Sequence, residues 1–175
     1  MSSVASWPIG DPLDPATRMG PLVSDIHVAK VKSAIDAERG RNNDILVSTA
    51  PTNGQSPRLV TPIAFFNVDE QASAWREEIF GPVLSVNFYD NLEDAIARAN
   101  DTAYGLSAYV FGQDAQAISA ASDQLDAGFV AVNAFCEGDF TTPFGGFKAS
   151  GFGGKDKGIH SLDQYSRTKS VWWAV

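Results

Sequence analysis

Two short stretches carry the residues that could do chemistry. Residues 76–83 read Arg-Glu-Glu-Ile-Phe-Gly-Pro-Val, and residues 143–151 read Pro-Phe-Gly-Gly-Phe-Lys-Ala-Ser-Gly. In each, Gly and Pro direct the backbone while a charged and an aromatic side chain are held at a set spacing, which suits a pocket wall. If residues 77–80 are extended, period-two alternation turns Glu78 and Phe80 to the same side. A carboxylate there can accept hydrogen bonds from ribose hydroxyls while the ring packs on the sugar or base. The same residues also fit a solvated acidic pair with Phe80 in the core, and spacing does not separate the two. In the second stretch, Gly145 and Gly146 admit close approach of a backbone or a ligand, but scattered glycines equally make a surface turn. The string lacks the Gly-x-x-x-x-Gly-Lys-Ser/Thr order of a phosphate cradle.

The elements that would position these stretches follow from periodicity. The Pro- and Gly-rich residues 1–21 predict an extended connecting arm with turns. Ser24 is set as the N-cap of a helix to about Glu38, with Val28, Val31 and Ile35 on one face and Gly40 as its stop. Residues 45–47, 63–66, 83–88, 108–111 and 129–132 read as strands rich in β-branched and aromatic residues. Residues 50–58 read as a loop. Asn91 and Asp114 cap two further helices, whose inward residues are Leu92, Ala95, Ile96 and Ala99, then Ala117, Ile118, Ala121 and Leu125. Alternation of this kind implies an α/β fold: a mostly parallel twisted sheet with helices on both faces. The irregular run 133–142 leaves the end of a strand, where such folds place ligand sites. Residues 169–175, with Trp172 and Trp173, read as an isolated terminal strand.

Composition excludes several classes of function. The chain has 175 residues, is 44% apolar and carries a net charge of −8. An acidic balance argues against a nucleic-acid or anionic-membrane partner. No apolar run approaches a membrane span and the N-terminus has no signal-peptide pattern. The single cysteine, Cys136, permits no internal disulfide and fits a reducing cytoplasm. His27 and His160 have no companions spaced for a metal site.

The two motifs, Glu77–Val83 and Pro143–Gly151, resemble signatures of the aldehyde dehydrogenase superfamily, in its C-terminal, catalytic-domain portion. Weaker agreements lie at Gly10-Asp11-Pro12-Leu13, at Ala99–Ala108 and at Gly128–Asn133, so the resemblance runs from about residue 8 onward. The loop around Glu137 and the tail Gly-Lys-Asp-Lys look most like the branch acting on γ-glutamylamino- and guanidino-butyraldehydes. The resemblance implies NAD or NADP as cofactor and a small-molecule aldehyde as substrate, oxidised to a carboxylic acid. It implies that Glu78 bonds the nicotinamide ribose and that Phe80 packs beside it. Phe144 would line the aldehyde pocket, with Phe135, Glu137 and Asp139 in the substrate-mouth loop, the carboxylates drawing a cationic or amide-bearing tail. Residues 22–168 would be the catalytic-domain portion, and residues 169–175 an oligomerisation strand for self-association.

There are departures. The family usually continues Ser-Gly-x-Gly-Arg, whereas here Lys155, one step later, replaces the Arg without its bidentate fork. The family nucleophile lies in a Gly-Gln-x-Cys setting upstream of Gly-Asp-Pro-Leu, together with the dinucleotide-binding half and the general base, so no catalytic residue is expected among these 175. Cys136 lacks that setting, and neighbouring carboxylates oppose a thiolate. The isolated chain is therefore expected to be inactive. The alternative is a non-catalytic module for association or ligand binding.

Overall fold

The computed structural model describes residues 7–41, 44–49, 52–53, 56–136 and 138–174. It divides after Phe88 into two compact units, each with its own sheets.

In the first unit, α1 (Asp25–Arg39) forms where the sequence places it. The Ser24 hydroxyl accepts from the His27 amide at 3.2 Å, satisfying one of the orphan donors of the first turn. Val28, Val31 and Ile35, one helical face, are buried. They pack with Val60, Ile63, Phe65, Val68, Ala72 and Ala74 into one apolar cluster, in which Val31 and Phe65 are fully inaccessible. Burial of each large side chain contributes about 1.5–3 kcal/mol. The cluster supplies most of what holds this unit.

A three-stranded sheet lies in this unit. Its order is β2 (Asp44–Val47), β4 (Ile63–Phe66), β5 (Val83–Val86), with β2 antiparallel and β5 parallel to β4. Central β4 is buried from Ile63 to Phe65, as a strand flanked on both edges should be. The short helix α2 (Ser73–Arg76) was not foreseen. The residues read as an arm contain β1 (Ile9–Gly10), which pairs in parallel with β3 (Thr52–Asn53) inside the segment read as a loop. Ile9 is 2% exposed, so this part of the arm is anchored.

The second unit alternates α3 (Leu92–Asn100), β6 (Ser107–Val110), α4 (Ala115–Gln124) and β7 (Phe129–Val132). The Asn91 side chain accepts from the Asp94 amide and the Asp114 side chain from those of Gln116 and Ala117, both as expected. Strands β6 and β7 pair in parallel from Ser107↔Phe129 to Val110↔Val132. Among the described residues three of the four strand pairings are thus parallel. Residues 169–174 form no strand in the single chain, and Trp172 and Trp173 stand 92% and 83% exposed. A strand needs a hydrogen-bonded neighbour, and none of the described residues supplies one. No helix among the described residues is long and apolar enough to cross a membrane.

Candidate functional site

Residues 77–83 are held from behind. The Glu77 amide donates to the Ser73 carbonyl at 2.8 Å, closing α2. Ile79 and Val83 pack on the apolar cluster. A Cβ on Gly81 would come within 2.7 Å of a Val31 methyl, so glycine is what lets this turn lie against α1. Between the anchors, Phe80 adopts φ 59, a region a bulky residue rarely occupies. The segment is therefore not a regular extended one, and simple alternation does not fix where Phe80 points relative to Glu78. Phe80 is 73% exposed, with the His27 ring 6.0 Å away at 36°. Glu78 is exposed as well. Neither the buried Phe80 nor its core packing is found; a carboxylate and a ring stand at the surface.

The second motif sits on a crossing of main chain. A Cβ placed on Gly128 would run into the Gly145 carbonyl, one on Gly145 into that of Gly154, and one on Gly146 into that of Ser150. The open question about the paired glycines is answered here: what approaches them is backbone. Phe147 and Gly128 both donate to the Gly105 carbonyl, at 2.8 and 3.0 Å, and the Gly105 amide donates to the Ser150 hydroxyl at 3.1 Å. Lys148 (φ 50) reaches the Asn100 carbonyl at 2.8 Å and the Asp126 carboxylate at 3.1 Å. Lys155, the departure from Arg, donates to the Gly145 carbonyl at 3.3 Å, with its ammonium 5.4 Å from the Phe147 ring centroid. It supports the turn through a carbonyl and a ring rather than through a forked ion pair.

On this base stands Phe144, half-buried, with the Phe129 ring 5.8 Å away at 55° and the Lys157 ammonium 5.1 Å from its centroid. Phe135 is 84% exposed, its ring 4.8 Å from that of Tyr109. Glu137 lies outside the described residues. Asp139 is exposed but engaged: one carboxylate oxygen, Oδ1, accepts from the Thr141 and Thr142 hydroxyls at 2.8 and 3.0 Å and from their amides at 2.9 and 3.0 Å. These bonds, the Thr141 hydroxyl first and then that of Thr142, hold its carboxyl below the usual carboxylate value. Asp139 thus folds the loop from residue 139 to residue 142. Cys136 is a free, exposed thiol just upstream of it. Among the described residues no three His, Cys, Asp or Glu side chains cluster as a metal site would need.

Glu78 and Phe80 belong to the first unit, and Phe135, Asp139 and Phe144 to the second. Sequence reasoning missed Lys157 and the turn-forming task of Asp139. An Asp in a Gly-containing loop, able to accept from amides two and three residues on, is a recognised side-chain-to-backbone turn signal that could have revealed the latter.

Comparison with known proteins matches residues 1–171 to the aldehyde dehydrogenase family. An aminoacetaldehyde dehydrogenase of Pseudomonas aeruginosa is 42% identical over 171 residues, covering 98% of this chain and 34% of that protein. The NADP/NAD-dependent aldehyde dehydrogenase PuuC of Escherichia coli is 41% identical over 167 residues, covering 95% and 33%. Among solved structures, an indole-3-acetaldehyde dehydrogenase of P. syringae in complex with NAD+ superposes with a TM-score of 0.85 at 40% identity, covering 97% of this chain and 34% of that one. A Mycobacterium tuberculosis aldehyde dehydrogenase complexed with NAD+ gives 0.87 at 32%, covering 99% and 36%. The chain spans about a third of the length of the curated relatives it matches.

Proposed function

The chain belongs to the aldehyde dehydrogenase family, and we propose that it supplies the C-terminal, catalytic-domain part of a nicotinamide-dependent enzyme that oxidises an aldehyde to a carboxylic acid. The observation that carries this reading is the pair of uninterrupted motifs, Glu77–Val83 and Pro143–Gly151, within a family match over residues 1–171. Residues 22–168 form the catalytic-domain portion and residues 169–175 the strand for association.

The residues fit the cofactor. Glu78 is an exposed carboxylate with acceptor oxygens for ribose hydroxyls, and Phe80 is an exposed ring beside it in sequence, lifted out of the core by its positive φ. NAD or NADP, when bound, takes up the hydride that leaves the aldehyde carbon. Glu78 would orient the ribose and Phe80 limit the ring's travel, shortening the hydride path. Phe144, with Phe135 and the loop bearing Glu137 and Asp139, would form the substrate wall. The likeness to an aminoacetaldehyde dehydrogenase supports an amino aldehyde as substrate, an amino- or guanidino-butyraldehyde being the candidate. A single cysteine fits a reducing cytoplasm.

None of the 175 residues lies in a Gly-Gln-x-Cys setting, and Cys136 stands beside Glu137 outside one, so this chain alone is expected to be inactive. The test is co-expression with the nucleophile-bearing part of the P. aeruginosa relative, followed by absorbance of reduced cofactor with 4-aminobutyraldehyde. The pair should turn over and each part alone should not. Turnover by the 175 residues alone, or a reconstituted complex indifferent to Glu78→Gln, would end this reading. The alternative, an association module, rests on the exposed Val171, Trp172 and Trp173. Sedimentation of the chain should show concentration-dependent self-association, lost in Trp172→Ser/Trp173→Ser.

A further inference from the structure

The substrate wall is braced from a place the motifs do not include. After Gly151 the chain folds back, and its backbone ties to the mouth loop at two points. The Asp156 amide donates to the Phe144 carbonyl at 2.7 Å, and the Gly158 amide to the Phe140 carbonyl at 3.1 Å. Between these bonds the side chains alternate: Asp156 is exposed, whereas Lys155 and Lys157 are half-buried. The Lys155 ammonium lies 5.4 Å from the Phe147 centroid and the Lys157 ammonium 5.1 Å from that of Phe144. Each ring therefore has one lysine on it, and Phe144 is further limited by Phe129, tilted at 55°. The segment has a hold of its own, since the Gln164 side-chain amide donates to the Lys155 carbonyl.

We propose that Lys157 is a positioning residue for the substrate wall: its ammonium, set by the Asp156 and Gly158 backbone bonds, holds the Phe144 ring at the angle that receives the aldehyde. The proposal rests on the aldehyde dehydrogenase reading above. It assigns to a lysine outside both motifs control of how well the aldehyde is held, with no part in the chemical step. An ammonium over a ring is an electrostatic attraction to the ring's negative face, so a cation must be present but its shape is secondary. Arginine should therefore serve and methionine, of similar length, should not.

Two measurements decide it. In the full chain, the Lys157 ε-methylene protons should resonate upfield of free lysine, and Phe144→Leu should remove that shift. In the complex reconstituted with the nucleophile-bearing part, Lys157→Met should raise KM for the aldehyde about three- to fivefold while kcat and KM for the cofactor stay within error, and Lys157→Arg should restore it. An unchanged aldehyde KM in Lys157→Met, no rescue by arginine, or an ε-methylene shift that survives Phe144→Leu each overturns the proposal. A reconstituted complex that oxidises no aldehyde overturns the dehydrogenase reading, and with it the substrate half of this one. The nuclear magnetic resonance result then still decides whether Lys157 holds the ring.

Discussion

The two units of this chain are held in different ways. The first buries a continuous apolar cluster, from Val28 on α1 through Ile63 and Phe65 on β4 to Ala74 on α2. In the second, the buried apolar side chains among the described residues are Ile96, Ala121 and Ala131, two of them only methyl groups. What holds that unit is main chain on main chain at Gly105, Gly128, Gly145 and Gly146, together with capping side chains and the lysines at 148, 155 and 157. Meanwhile Phe135, Phe140 and Phe152 stand 84%, 85% and 105% exposed. A two-stranded sheet has too little face to cover such rings. The first unit encloses Phe65 at its centre, although Phe80 and Phe88 stand at its surface too, whereas no aromatic ring among the second unit's described residues is enclosed in this way.

This contrast is sharpest where a core side chain is removed. Phe65→Ala should cost about 3–5 kcal/mol, because it empties a fully enclosed site. Residue-resolved hydrogen exchange should show protection falling through α1 and β4 and persisting in β6 and β7, and an equal loss everywhere would erase the distinction. Gly145→Ala tests the other mode of construction. The added methyl meets the Gly154 carbonyl, and displacing backbone should cost about 1–3 kcal/mol, read as lost protection of the Phe147 and Gly128 amides. Asp114→Ala removes the cap of α4, and a urea midpoint lowered by about 1 kcal/mol equivalent is expected.

The smallest effect is one of pH. The folded-state carboxyl of Asp139 titrates below its ordinary 3.8, so its support of the mouth loop is complete above that value and is lost as pH falls through the folded value. The Thr141 and Thr142 amide resonances should shift over that acidic range in the wild type. In Asp139→Asn the amide oxygen still accepts but does not titrate, and the transition should vanish.

What was legible in the sequence was what short-range physics decides. Ser24, Asn91 and Asp114 cap the helices they were expected to cap, because a cap needs only an oxygen two or three residues from its donor. Ile63–Phe66 and Phe129–Val132 are strands because β-branched and aromatic residues dominate them. The pairing of Ile9–Gly10 with Thr52–Asn53 was not legible, since it joins two-residue pieces some forty positions apart and no local pattern announces it. The terminal residues around Trp172 have strand composition but no strand, because composition cannot supply a neighbour. At the candidate site, Glu78 and Phe80 were singled out by residue type and spacing, and Asp139 and Phe144 as candidates through the family resemblance. The left-handed backbone at Phe80 and the lysine on Phe144 come from tertiary contacts and were not.

The main-chain crossing at Gly128 and Gly145 has a consequence for redesign. Peptide groups are the same whatever the side chains, so the scaffold under Phe144 depends first on its glycines and on the few side chains that bond it, Lys148, Ser150 and Lys155. An exposed side chain carried on it, such as Phe135, can be exchanged while that crossing is kept. Changes in what this face can contact are best sought at such exposed positions.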